Sequence, residues 1–369
     1  MMTVIVNKPE HLYVHVPFCA HICGYCDFAH IAYQSKTADA WLKAIEKELS
    51  EKQINKNLKT IYIGGGTPSS LSCVQLDQFL SLLDPYREKV IEYTIEMNPE
   101  TLDEEKCRII QKHGINRVSI GFESSDKKLL KLMGRSHSLA TLQNCMDLLR
   151  KYGIDNISLD IMYSLPFQTM KSLQKSVYDA ISLQPKHLSL YSLTIEENTV
   201  FEKKGYSSLD EDTEADMYEW ICSALPQYGF VQYEVSNFSK KNFESKHNCA
   251  YWNYRDFYGI GCGASGKENH YRYDHTKNVR SYIEDPCAIE KNELSKKDEM
   301  FEMWMMSIRL KNGLDLALFE KTFQISFMDV YREITDKLMQ DGYLKIIDNH
   351  LCCTDKGYEI MNSILVEYM

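Results

Sequence analysis

The 369-residue chain lacks several things that would have settled its class. No apolar run approaches the ~18 residues of a membrane span. Met1 to Glu10 carries Lys8 and Glu10 in place of the continuous apolar segment of a secretory signal, so a cytoplasmic protein without a membrane span is expected. Basic charge is in deficit. With 42 Lys+Arg against 52 Asp+Glu the formal charge is −10, a field that repels nucleic acid, and no nucleic-acid partner is expected. Cysteine is sparse for a disulfide scaffold: 12 residues fall far below the roughly 8–10% such scaffolds carry. Repeats, low-complexity tracts and long linkers are absent too. Aromatic residues are plentiful, with 14 Phe, 24 Tyr and 4 Trp to bury, which excludes a disordered chain. The length suits two or three folded units.

In the first half, short β-rich runs alternate with helical periodicity. Strands are expected at His11–Val16, Thr60–Gly64, Glu92–Met97, Arg117–Phe122, Asn156–Met162 and His187–Leu193. Helices are expected at Asp39–Lys52, Ser72–Leu83, Asp103–His113, Ser138–Tyr152 and Met170–Leu183, with Gly114 and Gly153 as stop signals. This order calls for a parallel sheet with right-handed crossovers. Six units are fewer than the eight of a closed barrel, so the fold class is α/β, a partial (β/α)6 TIM-like barrel over residues 1–195. Residues 196–293 lose the rhythm and form a barrel extension: a helix at Glu211–Gln227, a strand at Gln232–Asn237, and an aromatic, Gly-rich stretch from His247 to Gly266. Gly261-Cys-Gly-Ala-Ser-Gly266 fits a dinucleotide fingerprint without the helix that should follow it, and Gly259–Gly266 is expected to be a close-packed loop reaching back over the barrel mouth. Residues 294–369 suit a mainly helical, winged-helix-like domain. Its 9 Lys+Arg against 13 Asp+Glu favour a lid or partner surface over DNA reading.

Three cysteines are grouped, as Cys19-x3-Cys23-x2-Cys26, directly after the first strand. A tight loop can aim three thiolates at one centre. Zinc would require a fourth ligand, which His15, His21 or His30 could supply in a structural module. A 4Fe-4S cluster on three cysteines leaves one iron without a protein thiolate, open to a small molecule.

The triplet and its Tyr13-x-His15-x-Pro17-Phe18-Cys19 lead-in resemble the radical S-adenosylmethionine (SAM) superfamily, in its coproporphyrinogen oxidase-like branch. The resemblance implies a 4Fe-4S cluster on Cys19, Cys23 and Cys26, whose open iron chelates the amino and carboxylate groups of SAM. It also makes Tyr13, Gly65, Gly66, Thr67, Glu96, Arg135 and Asp160 the SAM shell, with Tyr25 beside the adenine. Of these, Gly65, Gly66, Thr67, Glu96 and Asp160, with Glu123 and Thr194, fall at or near the ends of expected strands, where barrel active sites lie. Glu123 departs from the family, which usually has Gln there; the added carboxylate would repel a SAM carboxylate unless Arg135 or the sulfonium compensates.

Within that branch, a decarboxylase-type member would carry a further cysteine where Phe28 stands and a long N-terminal arm, whereas only 18 residues precede Cys19 here. The Cys-Asp-Phe ending and His247-Asn-Cys-Ala-Tyr-Trp252 resemble instead the HemW-type haem chaperones. That resemblance implies haem as cargo and His247 as its iron ligand, ahead of Cys249 and Cys262. It further implies a haem-accepting protein as partner, for instance a membrane-associated respiratory enzyme, with the chain itself a homodimer. The expected function is a haem carrier rather than an enzyme. The alternatives are a radical SAM enzyme acting on a porphyrin and a zinc-bound module.

Overall fold

The structure, a computed structural model, describes residues 8–369; residues 1–7, part of the stretch read as lacking a signal segment, lie outside the described residues. Six parallel strands form its centre: β1 (His11–Val16), β2 (Thr60–Gly65), β3 (Glu92–Met97), β4 (Arg117–Glu123), β5 (Asn156–Tyr163) and β6 (His187–Ser192). Between them run helices α1 (Ser35–Glu51), α2 (Cys73–Leu83), α3 (Glu104–Lys112), α4 (Lys127–Met133), α5 (Leu139–Lys151) and α6 (Met170–Ser182). The α/β partial-barrel expectation holds. Capping boxes at Ser72/Gln75, Ser138/Thr141 and Thr169/Ser172 start α2, α5 and α6 by satisfying backbone N–H groups that the first turn leaves free. Gly114 and Gly153 end α3 and α5 with φ of 77° and 78°, where a side chain would be strained.

Alternation along each strand decides what the barrel holds. Outward positions are aliphatic and fully buried against the helices: Leu12, Val14 and Val16 of β1, Ile61 and Ile63 of β2, Val118 and Ile120 of β4. Inward positions are polar: His11, Tyr13 and His15; Thr60 and Tyr62; Glu92, Thr94 and Glu96; Arg117 and Ser119; Ser158 and Asp160; His187 and Ser189. Because successive side chains face opposite sides, this alternation builds an apolar shell around a polar lumen. Each buried polar group then requires partners, which shapes the site described below.

The sheet is wider than the six expected strands. Its order is β9-β1-β2-β3-β4-β5-β6-β8-β7, where β7 (Val231–Gln232) and β8 (Asn237–Ser239) make an antiparallel hairpin on β6 and β9 (Tyr258–Ile260) runs parallel to β1. Two expectations are corrected here. Residues 233–236 are the hairpin's turn and not a strand. The glycine-rich stretch is close-packed as expected, but it opens with an edge strand, Tyr258–Ile260, and only 261–264 is a loop: a Cβ on Gly259 would sit 2.0 Å from the Ser265 carbonyl, and Gly261, at φ 100°, would place one 2.5 Å from the His15 carbonyl. Its glycines serve close backbone packing. A β-hairpin follows, Ser265–Glu268 with Tyr271–His275, so the dinucleotide fingerprint has no helix behind it.

The C-terminal unit has its own core around Trp304, Phe319, Phe327 and Leu351. Helices Lys296–Ser307, Leu316–Phe323 and Phe327–Gln340 precede a hairpin, Leu344–Ile347 with His350–Cys353, that turns on Asp348 and Asn349, both at positive φ. That is the winged-helix-like arrangement expected. Cys352 and Cys353 are both buried, although neighbouring strand residues face opposite ways.

Candidate functional site

At the C-terminal ends of the strands lies a cavity of about 400 Å³. It is lined by Cys19, Cys23, Tyr25, Cys26, Gly65, Gly66, Thr67, Glu96, Glu123, Arg135, Asp160 and Thr194, which gathers the expected cluster and SAM residues except Tyr13 and none of the expected haem ligands. The three cysteines are free thiols. Burial pushes Cys19 up to about 11 and Cys26 up to about 12, and raises Cys23 as well, with Arg135 opposing. Such thiols are neutral at pH 7 until a metal displaces their protons. Among the described residues no three His, Cys, Asp or Glu side chains converge closely enough for a single metal ion. All three thiols line the one cavity, an arrangement that suits a group larger than a single ion. Gly66 completes the cradle, since a Cβ there would lie 2.9 Å from Cys19 Sγ and 2.8 Å from the Phe18 carbonyl.

Three carboxylates face the thiols. Glu96 accepts hydrogen bonds from Tyr62 Oη (2.7 Å) and the Gly65 N–H (3.1 Å), yet burial lifts its carboxyl to about 7. Asp160 accepts from Ser119 Oγ at 3.1 Å and is also raised by burial. Glu123 occupies a bulge in β4 at φ 59°, a strained conformation for a glutamate; burial raises it and Arg135 opposes the shift. Arg135 donates to the Gly121 carbonyl and to Asn98 Oδ1, both at 2.8 Å, with Cys23 Sγ at 3.9 Å. One guanidinium thus stands between a thiol and a carboxylate, placed to hold an anionic group of a ligand. Asn98 went unnoticed in the sequence, although its place just beyond β3 was a signal that strand ends carry function.

Models of known families and relatives match this chain along its length. Residues 13–179 match the radical SAM superfamily and residues 294–360 the HemN C-terminal domain. Proteins named "Heme chaperone HemW" from Lactococcus lactis and Bacillus subtilis are 37% and 34% identical, over 99% and 97% of this chain and 98% of each relative. The chain belongs to the HemW family of radical SAM proteins. The Escherichia coli HemW is 32% identical over 97% of both chains. In fold, the E. coli coproporphyrinogen III oxidase HemN superposes with a TM-score of 0.83, covering 98% of this chain and 90% of that one at 20% identity. A radical SAM domain implies a 4Fe-4S cluster and SAM, and the thiol-ringed cavity fits both.

Tyr13 and the haem-ligand candidates His247, Cys249 and Cys262 fall outside the cavity of this HemW-family protein. Tyr13 lies deeper in the lumen, its hydroxyl 2.9 Å from His15 Nδ1, while His15 Nε2 reaches the Ala29 carbonyl at 2.8 Å. Burial lowers the His15 imidazole to about 4, so it is neutral: Tyr13 donates to Nδ1 and Nε2 donates to Ala29. Tyr13 braces the cysteine loop from below and does not line the ligand space.

His247 requires the larger correction. It belongs to α8 (Lys246–Trp252; α7 is Glu211–Ala224), which plugs the opposite end of the barrel. Glu92, at the start of β3, accepts the Lys246 and His247 backbone N–H groups at 2.8 and 2.9 Å. The imidazole is fully buried, with Nδ1 2.7 Å from Thr60 Oγ1, Nε2 2.7 Å from Tyr251 Oη, and the Tyr62 ring stacked at 5.2 Å. With both nitrogens engaged and no exposed surface, it has no lone pair to offer haem iron here. Cys262, a lower-ranked ligand, is buried and donates to the Thr276 carbonyl.

Proposed function

We propose that the protein is a cytoplasmic haem carrier that holds a 4Fe-4S cluster on Cys19, Cys23 and Cys26, binds SAM in the cavity and passes haem to an acceptor protein. The reading rests above all on near-full-length similarity, at 32–37% identity, to relatives named as haem chaperones. A membrane-associated respiratory enzyme suits the acceptor, and a second copy of the chain is a further partner. Among the described residues no helix is long and apolar enough to cross a membrane, so the carrier meets such an acceptor from outside the bilayer.

The cluster, when bound, supplies an iron that can take two atoms of SAM. The chain's own residues do the rest. Glu96 gains an ionic partner when a ligand ammonium enters and gives up its proton to the medium. Arg135 offers its guanidinium to a ligand carboxylate, Thr67 and Gly66 bring the backbone close, and Thr194 lines the cavity just beyond β6.

Anaerobically reconstituted protein tests this reading. The expected result is bound iron and labile sulfide, near-stoichiometric haem uptake with a Soret shift, and transfer of that haem to an apo-acceptor. Formation of 5′-deoxyadenosine in step with consumption of coproporphyrinogen would instead establish the porphyrin-acting enzyme.

A further inference from the structure

At the same end of the barrel as the cavity, the loop after β5 carries an exposed aromatic residue that the fold holds out at a conformational cost. Phe167 sits at φ 66° in the loop after β5 and leaves 77% of its surface exposed. A bulky residue in left-handed backbone is an outlier, and glycine would occupy the position without strain. Ser164, at φ 58°, begins the same turn. The loop is nonetheless firmly built. Leu165 N–H donates to Gln168 Oε1, Gln168 Nε2 donates to the Met162 carbonyl (both 3.2 Å), and Ser164 Oγ donates to Glu214 at 2.8 Å. Folding buries little of the residue to offset the strain, and strain of this kind marks sites where a ligand benefits from preorganisation.

Phe167 is also continuous with the cavity. Its ring meets Tyr206 edge-on at 6.1 Å, Tyr206 meets Phe201 at 5.2 Å, and Phe201 meets Tyr25, a cavity residue, at 6.2 Å. The cysteine loop adds Ile22 and Phe28, 45% and 63% exposed, to the cavity wall. Among these apolar groups stands His21, an exposed cavity residue whose side chain makes no hydrogen bond or ion pair among the described residues. The neighbouring His30 lies 3.6 Å from Cys26 Sγ and is engaged there. A free imidazole set in an apolar, aromatic rim is the combination that a flat metalloporphyrin requires: an axial nitrogen for the metal and π-faces for the ring.

We propose that haem docks on this rim, its macrocycle against Phe167 and Phe28 and its iron ligated by His21, in place of the buried His247. The inference deepens the carrier reading and rests on it.

Full-length protein is titrated with hemin and with metal-free protoporphyrin IX, alongside thermal unfolding. Phe167→Gly should melt no lower than wild type, because the backbone strain is relieved, while binding of both porphyrins weakens on the order of tenfold. His21→Ala should weaken hemin and move its Soret band, leave protoporphyrin binding unchanged, and regain the wild-type Soret position with added imidazole. Hemin binding by both variants with wild-type affinity and spectrum would overturn the rim assignment while leaving the carrier reading intact. Failure of the wild-type protein to bind hemin at all would overturn the carrier reading and this assignment with it.

Discussion

Glu96 and Glu123 face the same cavity and respond to pH for the same first reason, burial, but their consequences separate. For Glu96 the folded carboxyl titrates near 7 against an ordinary value of 4.5. The folded chain therefore binds more protons between those limits, so stability is full below about 4.5 and falls as pH rises through about 7. The loss is on the order of 3 kcal/mol. Glu96→Gln should flatten this slope and make the unloaded protein more stable than wild type at about pH 8, as urea unfolding at a series of pH values will show; an unaltered slope would assign the titration elsewhere. Glu123 matters for the ligand. When ionised it opposes a SAM carboxylate that Arg135 must hold alone, and its raised carboxyl makes the repulsion grow with pH. Glu123→Gln should bind SAM several-fold more tightly at alkaline pH and lose the pH dependence, a change that isothermal titration on the reconstituted protein can follow. Equal SAM affinity in the two proteins across that range would mean that Arg135 already neutralises the glutamate.

At the scale of elements, helix α8 carries the motif that the sequence most invited one to read as a haem site, and the fold uses it as the barrel floor. Its contacts join His247 to Thr60 and Glu92, partners 187 and 155 residues away, and no local spacing reveals such pairs. The strands, by contrast, were legible because alternation and glycine stops are local, and so were the cavity residues, which sit at strand ends. The edge strand Tyr258–Ile260 was hidden because three residues flanked by glycine carry no periodicity. His247→Ala removes two buried hydrogen bonds, leaves Tyr251 Oη without a partner and Thr60 with His11 alone (2.8 Å), so it should cost about 2–4 kcal/mol of stability by urea unfolding. Any haem defect should then track the unfolded fraction. Selective loss of haem by a variant as stable as wild type would restore His247 as a ligand. Glu48 of α1 plays a similar part at the other flank. It is buried and its Oε2 accepts from Tyr282 Oη (2.6 Å) and the Gly261 N–H (3.1 Å), while Oε1 lies 2.8 Å from His275 Nε2, tying α1 to the extension. Glu48→Ala leaves Tyr282 Oη and the Gly261 N–H buried without their acceptor and should cost about 2–4 kcal/mol, measured in the same way.

On the scale of the whole molecule, the floor helix is also the hinge between two cores. The barrel core and the C-terminal core are separate clusters, but Tyr254 and Val235 of the extension pack against the second. Polar contacts follow the same line: Ser307 Oγ donates to the Trp252 carbonyl (3.2 Å), Tyr254 Oη to Glu302 (2.9 Å), Arg272 to Glu302 (2.7 Å), and the Lys311 N–H to the Tyr233 carbonyl (3.0 Å). Tyr233 in turn bonds His187 of the barrel lumen at 2.9 Å. A C-terminal unit that let go would take the support of Trp252 and Tyr254 from α8 and open the lumen from below, exposing inward groups that are satisfied only in the closed barrel. Opening either part therefore costs the other its buried partners, which is the condition for a cooperative transition. Urea unfolding should show one transition, with hydrogen exchange in Leu344–Cys353 of the wing and in β2 tracking the same midpoint. Loading the cluster and SAM at the opposite end of the barrel should raise both midpoints together, because a ligand that binds only the folded state stabilises everything that unfolds with it. Release of the wing at lower urea than β2, or protection gained on loading by the barrel alone, would show that α8 does not couple the two cores.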